Sequence, residues 1–313
     1  MIQAIEKSDI ITVFRHVNPD SDALGSQWAL VWWIQQHYPE KQVYACGFFD
    51  RAKGLPYPAP DSVSDEVIKA SVAIVLDTAN IERIDDMRYE LAHTIIRIDH
   101  HPKTSEFGDI EWIDTTSPAT CQMLASWFRS MSPIPLSKKV AQALMAGITS
   151  DTVRFSINKV NQETFEIAAY LLSSGIDLTQ INNTLFSVSL DEFKFINHLR
   201  YHAKVLDCGL GYAMVDLDTC ARFNIHPNIA KEFIYALADV DFFKVWAIFI
   251  EIEVDGKTYY NGSLRSRSTP INDIAMQYGG GGHPLAAAVR HVTKEQTEQI
   301  LQQCCARIGS NIE

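Results

Sequence analysis

The segment Phe14 to Ser26, FRHVNPDSDALGS, places His16, Asp20 and Asp22 within seven residues. These are three potential ligands for a hard cation, although Asp20 or Asp22 could equally cap a helix that begins near Ala23. Further along, Asp77 ends the apolar run Val72 to Leu76, and Asp99-His100-His101 ends the run Ile95 to Ile98. Asp151 stands in AGITSDTVRF, after a helical pattern and before a short apolar piece. Carboxylates and imidazoles therefore recur where successive apolar runs stop. Four carboxylates (Asp20, Asp22, Asp77, Asp151) brought to one crevice would repel one another unless cations neutralised them. Oxygen-rich donors with a minority of imidazole (His16, His100) suit Mn²⁺ or Mg²⁺ better than a thiolate-seeking metal. A pair of such ions, about 3.5–4 Å apart, would clamp phosphate, activate water and stabilise a leaving oxygen.

Such convergence requires an open parallel sheet, because ligands bind there beyond the carboxyl ends of the strands. Ile10 to Phe14, a polar loop and Ala23 to Gln36, with Leu24, Trp28, Val31 and Ile34 at helical spacing, read as a β-loop-α unit. Val43 to Gly47, Val72 to Leu76 and Ile95 to Ile98 read as further buried strands, and Ala119 to Ser130, Lys138 to Ile148 and Glu163 to Ser173 as helices. The expected fold is α/β, a parallel sheet covered by helices on both faces over residues 1–188. A connecting helix follows over 189–205, from about Asp191 to Lys204, and then a smaller α/β domain with hairpins over 206–313. In that second domain Gly209 and Gly211 bracket one turn, Asp255-Gly256 makes a two-residue hairpin, and helices follow near Ile271 to Gln277 and Lys294 to Arg307.

The length of 313 residues agrees with two domains at roughly 100–200 residues each. With 27 basic and 38 acidic residues the net charge is −11, the wrong sign for coating long nucleic acid or anionic lipid. No apolar run approaches the ~18 residues of a membrane span and the start lacks signal-peptide order, so the expected location is cytoplasmic. The six cysteines show no metal or redox spacing and are expected to be reduced thiols packed as small hydrophobes, the adjacent Cys304 and Cys305 included.

The order His-x-Asn-Pro-Asp-x-Asp (His16 to Asp22), a lone Asp77, Asp-His-His (Asp99 to His101) and Gly-Ile-x-x-Asp-Thr (Gly147 to Thr152) resembles the DHH phosphoesterase superfamily. GGGGHPLAAA (Gly279 to Ala288), with Arg265 upstream, resembles the glycine-rich motif of the DHH-associated C-terminal domain. The two-domain layout is similar to that of stand-alone oligoribonucleases that also dephosphorylate 3′-phosphoadenosine 5′-phosphate. The resemblance implies two Mn²⁺ ions, with Mg²⁺ as an alternative occupant. One would be bound by His16, Asp20 and Asp77, the other by Asp22, Asp77, His100 and Asp151, with Asp77 bridging. It further implies a substrate-facing catalytic His101, and nucleotide recognition by Arg265, Gly280, Gly281, Gly282 and His283. Glycines there let a ligand approach the backbone, and arginine suits a forked phosphate contact. The glycine run is expected to lead through His-Pro into the start of a small-residue helix.

Val153 stands where glycine commonly follows Asp-Thr, and Ala288 where the glycine-rich motif commonly ends in glycine. The expected substrate is short RNA or a dinucleotide such as phosphoadenylyl-adenosine, with no long nucleic acid and no membrane as partner; a homodimer is compatible with the sequence. The alternatives are a pyrophosphatase or exopolyphosphatase, which has no base to accommodate, and a non-catalytic nucleotide sensor, which has no need of all six ligands. A processive exonuclease on long strands would need a basic stacking platform that this acidic chain lacks.

Overall fold

A computed structural model describes residues 2–48, 55–131 and 135–310, and the chain divides into two compact units, 1–187 and 188–313. The first contains, in chain order, α1 (Ile2–Lys7), β1 (Ile10–Phe14), α2 (Ser21–His37), β2 (Gln42–Ala45), α3 (Asp65–Lys69), β3 (Val72–Leu76), β4 (Thr94–Asp99), β5 (Ile110–Ile113), α4 (Thr120–Met131), α5 (Lys138–Asp151), α6 (Gln162–Leu172) and α7 (Leu178–Phe186). The five strands form one parallel sheet in the order β2-β1-β3-β4-β5. Strand β3 shows why: all five residues are buried, so both faces are covered. Val72, Ile74 and Leu76 pack in the core beneath α2, α4 and α5, where Trp33 stacks on Phe128 with ring centroids 4.5 Å apart. Ala73 and Val75 point to the opposite core with Phe14, Ile68 and Tyr89. The chain leaves β1 in one direction to reach β2 and returns past it to β3, so the carboxyl ends of β1 and β3 flank the topological switch point.

The second unit holds α8 (Leu190–His202), β6 (Lys204–Leu206), β7 (Leu210–Val215), α9 (Leu217–Arg222), α10 (Pro227–Ala230), β8 (Val245–Val254), β9 (Lys257–Ser266), α11 (Asn272–Gln277), β10 (Gly281–His283), β11 (Ala286–Val292) and α12 (Lys294–Ser310). Its sheet, ordered β10-β11-β9-β8-β7-β6, is antiparallel except for the β7–β8 pair. Asp255 and Gly256, both at positive φ (52° and 70°), close the β8–β9 hairpin.

Three expectations need correction. The stretch after His283-Pro284 is not a helix start but strand β11, paired to both β9 and β10. Alanine favours helix intrinsically, yet Ala287 and Val289 are buried against α11 and α12 while Ala286 and Ala288 stay half-open, and this period of two decides the outcome. Gly211 lies inside β7 instead of in the turn; a Cβ there would strike the Phe243 ring at 2.3 Å. Finally, Cys208 and Cys305 are disulfide-bonded, because the β6–β7 turn comes to lie against α12, a pairing 97 residues apart that spacing could not announce. Cys46, Cys121, Cys220 and Cys304 are free and buried. No helix among the described residues is long and apolar enough to cross a membrane.

Candidate metal centre

Beyond the carboxyl end of β1 comes His16, and the first turn of α2 follows. Asp20 is the N-cap of α2: its Oδ1 accepts the backbone N–H groups of Asp22 and Ala23, each at 3.0 Å. Its Oδ2 faces His16 Nε2 at 3.7 Å. The cap thus occupies one oxygen and leaves the other facing His16. Asp22 does not cap its own helix. Its fully buried carboxylate accepts the N–H groups of Thr120 (2.7 Å to Oδ2) and Cys121 (2.9 Å to Oδ1) at the start of α4. Gly147 makes room for it, since a Cβ there would lie 2.7 Å from Asp22 Oδ1.

Asp77 follows β3 with φ at 54°, a left-handed conformation rare for a residue with a side chain. Its two oxygens divide between two clusters: Oδ2 is 3.4 Å from His16 Nε2, and Oδ1 is 3.5 Å from His100 Nε2. His100, after β4, has Asp151 Oδ2 at 3.3 Å and Asp22 Oδ2 at 3.9 Å from the same nitrogen, and Asp151 is the last residue of α5. All six proposed ligands therefore come together, as His16-Asp20-Asp77 and Asp22-His100-Asp151, with Asp77 also grouped with His100 and His101.

The donor set fits a divalent cation. His100 Nε2 is buried with no hydrogen-bond partner among the described residues, yet three carboxylates surround it. The other ring nitrogens are already engaged: His16 Nδ1 lies 2.8 Å from the Val17 carbonyl and His100 Nδ1 3.3 Å from that of Ser117, so each neutral ring would offer Nε2 as donor. Crowding of like charge shows in the proton affinities. Burial, reinforced by Asp77 and Asp151, holds the Asp22 carboxyl well above the ordinary range. Burial also raises Asp151, with His100 opposing and Asp77 and Asp20 adding. Against burial, Asp20 and Asp77 push His16 up to about 10, and Asp151, Asp22 and Asp77 push His100 up to about 9. The neighbouring carboxylates thus favour the protonated form of both imidazoles.

His101 is placed differently from its neighbour. Its Nδ1 lies 2.9 Å from Asp99 Oδ1, which also accepts the His101 N–H, and its ring is 40% exposed. Asp99 is fully buried and anchored through Oδ2 to the fully buried Arg97 at 3.0 Å. The chain Arg97-Asp99-His101 holds the ring by its Nδ1 and leaves the ring partly exposed; the anchoring arginine had no signal in the sequence beyond its place on β4.

In the second unit the register aligns His283, Ala286, Arg265 and Trp246 across the sheet, and beside them Gly281, Ala288, Ser263 and Ile248. Residues opposite one another point to the same face. Gly281, Ala286, Ala288 and Ser263 thus make a shallow floor of small side chains bordered by Arg265 and His283. The half-buried Arg265 guanidinium donates to its neighbour's Leu264 carbonyl (2.9 Å) and pairs with no carboxylate among the described residues. Arg267, by contrast, is tied to the carbonyls of Phe243, Ala238 and Val240. The glycines differ as well. A Cβ on Gly280 would meet Ala288 O at 2.1 Å and one on Gly282 would meet Ala286 O at 2.4 Å, whereas Gly281 opens on free space.

A carboxylate–imidazole centre at the switch point of a parallel sheet, in a chain whose second sheet presents an arginine that pairs with no carboxylate among the described residues, has the donors to hold divalent cations and the positive charge to hold a phosphate ester. The profile of the DHH family, N-terminal domain, matches residues 10–148, and that of the DHHA1 domain residues 209–310. The chain is 33% identical, over 97% of its length and 96% of the relative's, to the "probable bifunctional oligoribonuclease and PAP phosphatase NrnA" of Streptococcus mutans. It is 30% identical to the Bacillus subtilis protein named bifunctional oligoribonuclease and PAP phosphatase NrnA, over 96% and 95% of the two chains. The crystal structure of an exopolyphosphatase-related protein from Bacteroides fragilis shares the fold, with a TM-score of 0.85 at 23% identity over 98% and 96%. The chain belongs to the DHH family of phosphoesterases and is a hydrolase.

Proposed function

We propose that this enzyme is a manganese-dependent phosphodiesterase that hydrolyses short oligoribonucleotides and dinucleotides to mononucleotides, and that it also removes a phosphate from 3′-phosphoadenosine 5′-phosphate. We place its work in the cytoplasm. The observation that carries the reading is Asp77, whose two oxygens face two separate donor clusters. On this reading His16, Asp20 and Asp77 hold one ion and Asp22, Asp77, His100 and Asp151 the other. Bound there, two divalent cations would neutralise charge on a phosphoryl group and lower the pKa of a water. His101, its Nδ1 held by Asp99, would hand a proton from Nε2 to the leaving oxygen as a water oxygen bonds to phosphorus and the P–O bond to the leaving group breaks. Arg265 and His283 hold a phosphate of the substrate, and the floor around Gly281 admits a base.

A panel of dinucleotide, pentanucleotide, long RNA, 3′-phosphoadenosine 5′-phosphate and pyrophosphate, assayed with Mn²⁺, tests this. Turnover of the short nucleotides is expected to exceed that of long RNA and pyrophosphate. Arg265→Ala should cost about 2–4 kcal/mol in kcat/KM on the dinucleotide, as loss of one partner of a desolvated charged contact does, and much less on pyrophosphate. Preferential turnover of pyrophosphate, or undiminished dinucleotide cleavage by the variant, would overturn the nucleotide reading.

A further inference from the structure

We infer that the segment Ser117 to Cys121 is the device that orients the metal-binding side chains, and that the Thr120 hydroxyl is its sequence-specific part: a positioning residue for the proposed metal centre. The inference rests on the metal reading above. Four bonds join this segment to the side chains of three proposed ligands that arrive on three different elements. The Ser117 carbonyl faces His100 Nδ1, the Thr120 and Cys121 N–H groups hold both oxygens of Asp22, and the Thr120 hydroxyl donates to Asp77 Oδ1 at 3.1 Å. None of the groups is accessible: Thr120 and Asp22 are 0% exposed, Asp77 2% and Ser117 6%.

The backbone part of this arrangement follows from helix geometry. The first N–H groups of α4 have no partner within the helix, and a carboxylate at the positive end of a helix is stabilised. Any residue but proline at 120 would supply that N–H. The hydroxyl is another matter. A threonine hydroxyl at a helix start ordinarily bonds to a nearby backbone group, but this one crosses 43 positions of sequence to Asp77. Asp77 needs such a partner. Its left-handed backbone carries the side chain to both clusters, yet rotation about Cβ–Cγ would turn the carboxylate plane and swing its two equivalent oxygens away from His16 and His100. The bond from Thr120 fixes that plane, with one oxygen toward His100 and the other toward His16. Partners of this kind behind metal-ligating carboxylates typically change metal affinity 10–100-fold when removed.

The test is Mn²⁺ titration of the intact protein, followed by calorimetry and by the rise in melting temperature, with no substrate present. Thr120→Val, which keeps the shape and removes the donor, should weaken Mn²⁺ binding at least about tenfold, and Thr120→Ser should restore it. Thr120→Ala, which fits wherever threonine does, serves if the valine variant misfolds. A purely structural threonine predicts the opposite pattern: both hydroxyl-less variants melt lower with and without metal, yet bind Mn²⁺ as tightly as the unaltered protein. That result, or failure of the serine variant to recover affinity, overturns the inference and leaves the metal reading standing. An unaltered protein that takes up no Mn²⁺ overturns both.

Discussion

Immediately after Asp151 the chain makes a left-handed turn from residues that ordinarily avoid it: Val153, Arg154 and Phe155 have φ of 47°, 58° and 63°. Each such residue costs roughly 1–2 kcal/mol and persists only where its surroundings over-determine it. Arg154 lies over the Phe186 ring at 4.4 Å, Phe155 stacks on Phe165 at 5.6 Å, and Arg154 N–H bonds back to Thr149 O at 2.8 Å. Val153 has the least support, being β-branched and 53% exposed. Val153→Gly should therefore stabilise the protein by up to about 1 kcal/mol, the relief of strain exceeding glycine's extra chain entropy. Urea unfolding at fixed metal concentration measures it, and a lower midpoint would mean that contacts of Val153 outweigh its conformation. The six proposed ligands were legible because carboxylate and imidazole types recur at the ends of apolar runs. Thr120 and Arg97 were not, because a donor one layer behind a ligand has no distinctive type or spacing; the strain at Val153 was signalled only by the glycine that commonly stands at that place.

At the level of elements, the parallel sheet was legible because β1, β3 and β4 are short branched runs buried on both faces, and the α2 helix because its apolar spacing and acidic cap agree. Strand β11 was not, because its alanines favour helix locally and only long-range pairing to β9 reverses the preference. That strand changes what the glycine run means. Gly280 and Gly282 are glycines because β11 runs too close for any side chain, while Gly281 faces open space on the same side as Arg265. The two roles separate by substitution. Gly280→Ala and Gly282→Ala should destabilise by on the order of 1–3 kcal/mol, the usual cost of overpacking. Gly281→Ala should melt within about 0.5 kcal/mol of the unaltered protein, yet raise KM for a dinucleotide. If Gly281→Ala changes stability and leaves KM alone, the floor is structural and binds nothing.

On the scale of the whole molecule, an acidic chain of net charge −11 gathers four carboxylates around two imidazoles at one point of its fold, and how it tolerates this without metal sets its pH behaviour. His16 and His100 are raised from an ordinary 6.5 to about 10 and about 9. A folded-state value above the unfolded one means that the folded protein binds more protons in the interval between them, so stability is fully present below about pH 6.5 and is lost as pH rises through 9 to 10. Asp20 acts in the opposite window. Its carboxyl is lowered from 3.8 to about 2 by His16 and the α2 backbone, outweighing burial, so its contribution is present above 3.8 and disappears as pH falls toward 2. The metal-free protein should therefore melt at progressively lower temperature from pH 7 to 10. A cation replaces those protons, since it binds neutral imidazole and ionised carboxylate. Mn²⁺ binding at pH 7 should accordingly release protons, and the gain in melting temperature from saturating Mn²⁺ should widen from pH 7 to 9. Calorimetric titration in two buffers of different ionisation enthalpy counts the protons released. Metal uptake with no proton release at pH 7 would show that the imidazoles are already neutral in the empty centre, and that charge there is relieved by some route other than the paired His16–Asp77 and His100–Asp151 contacts.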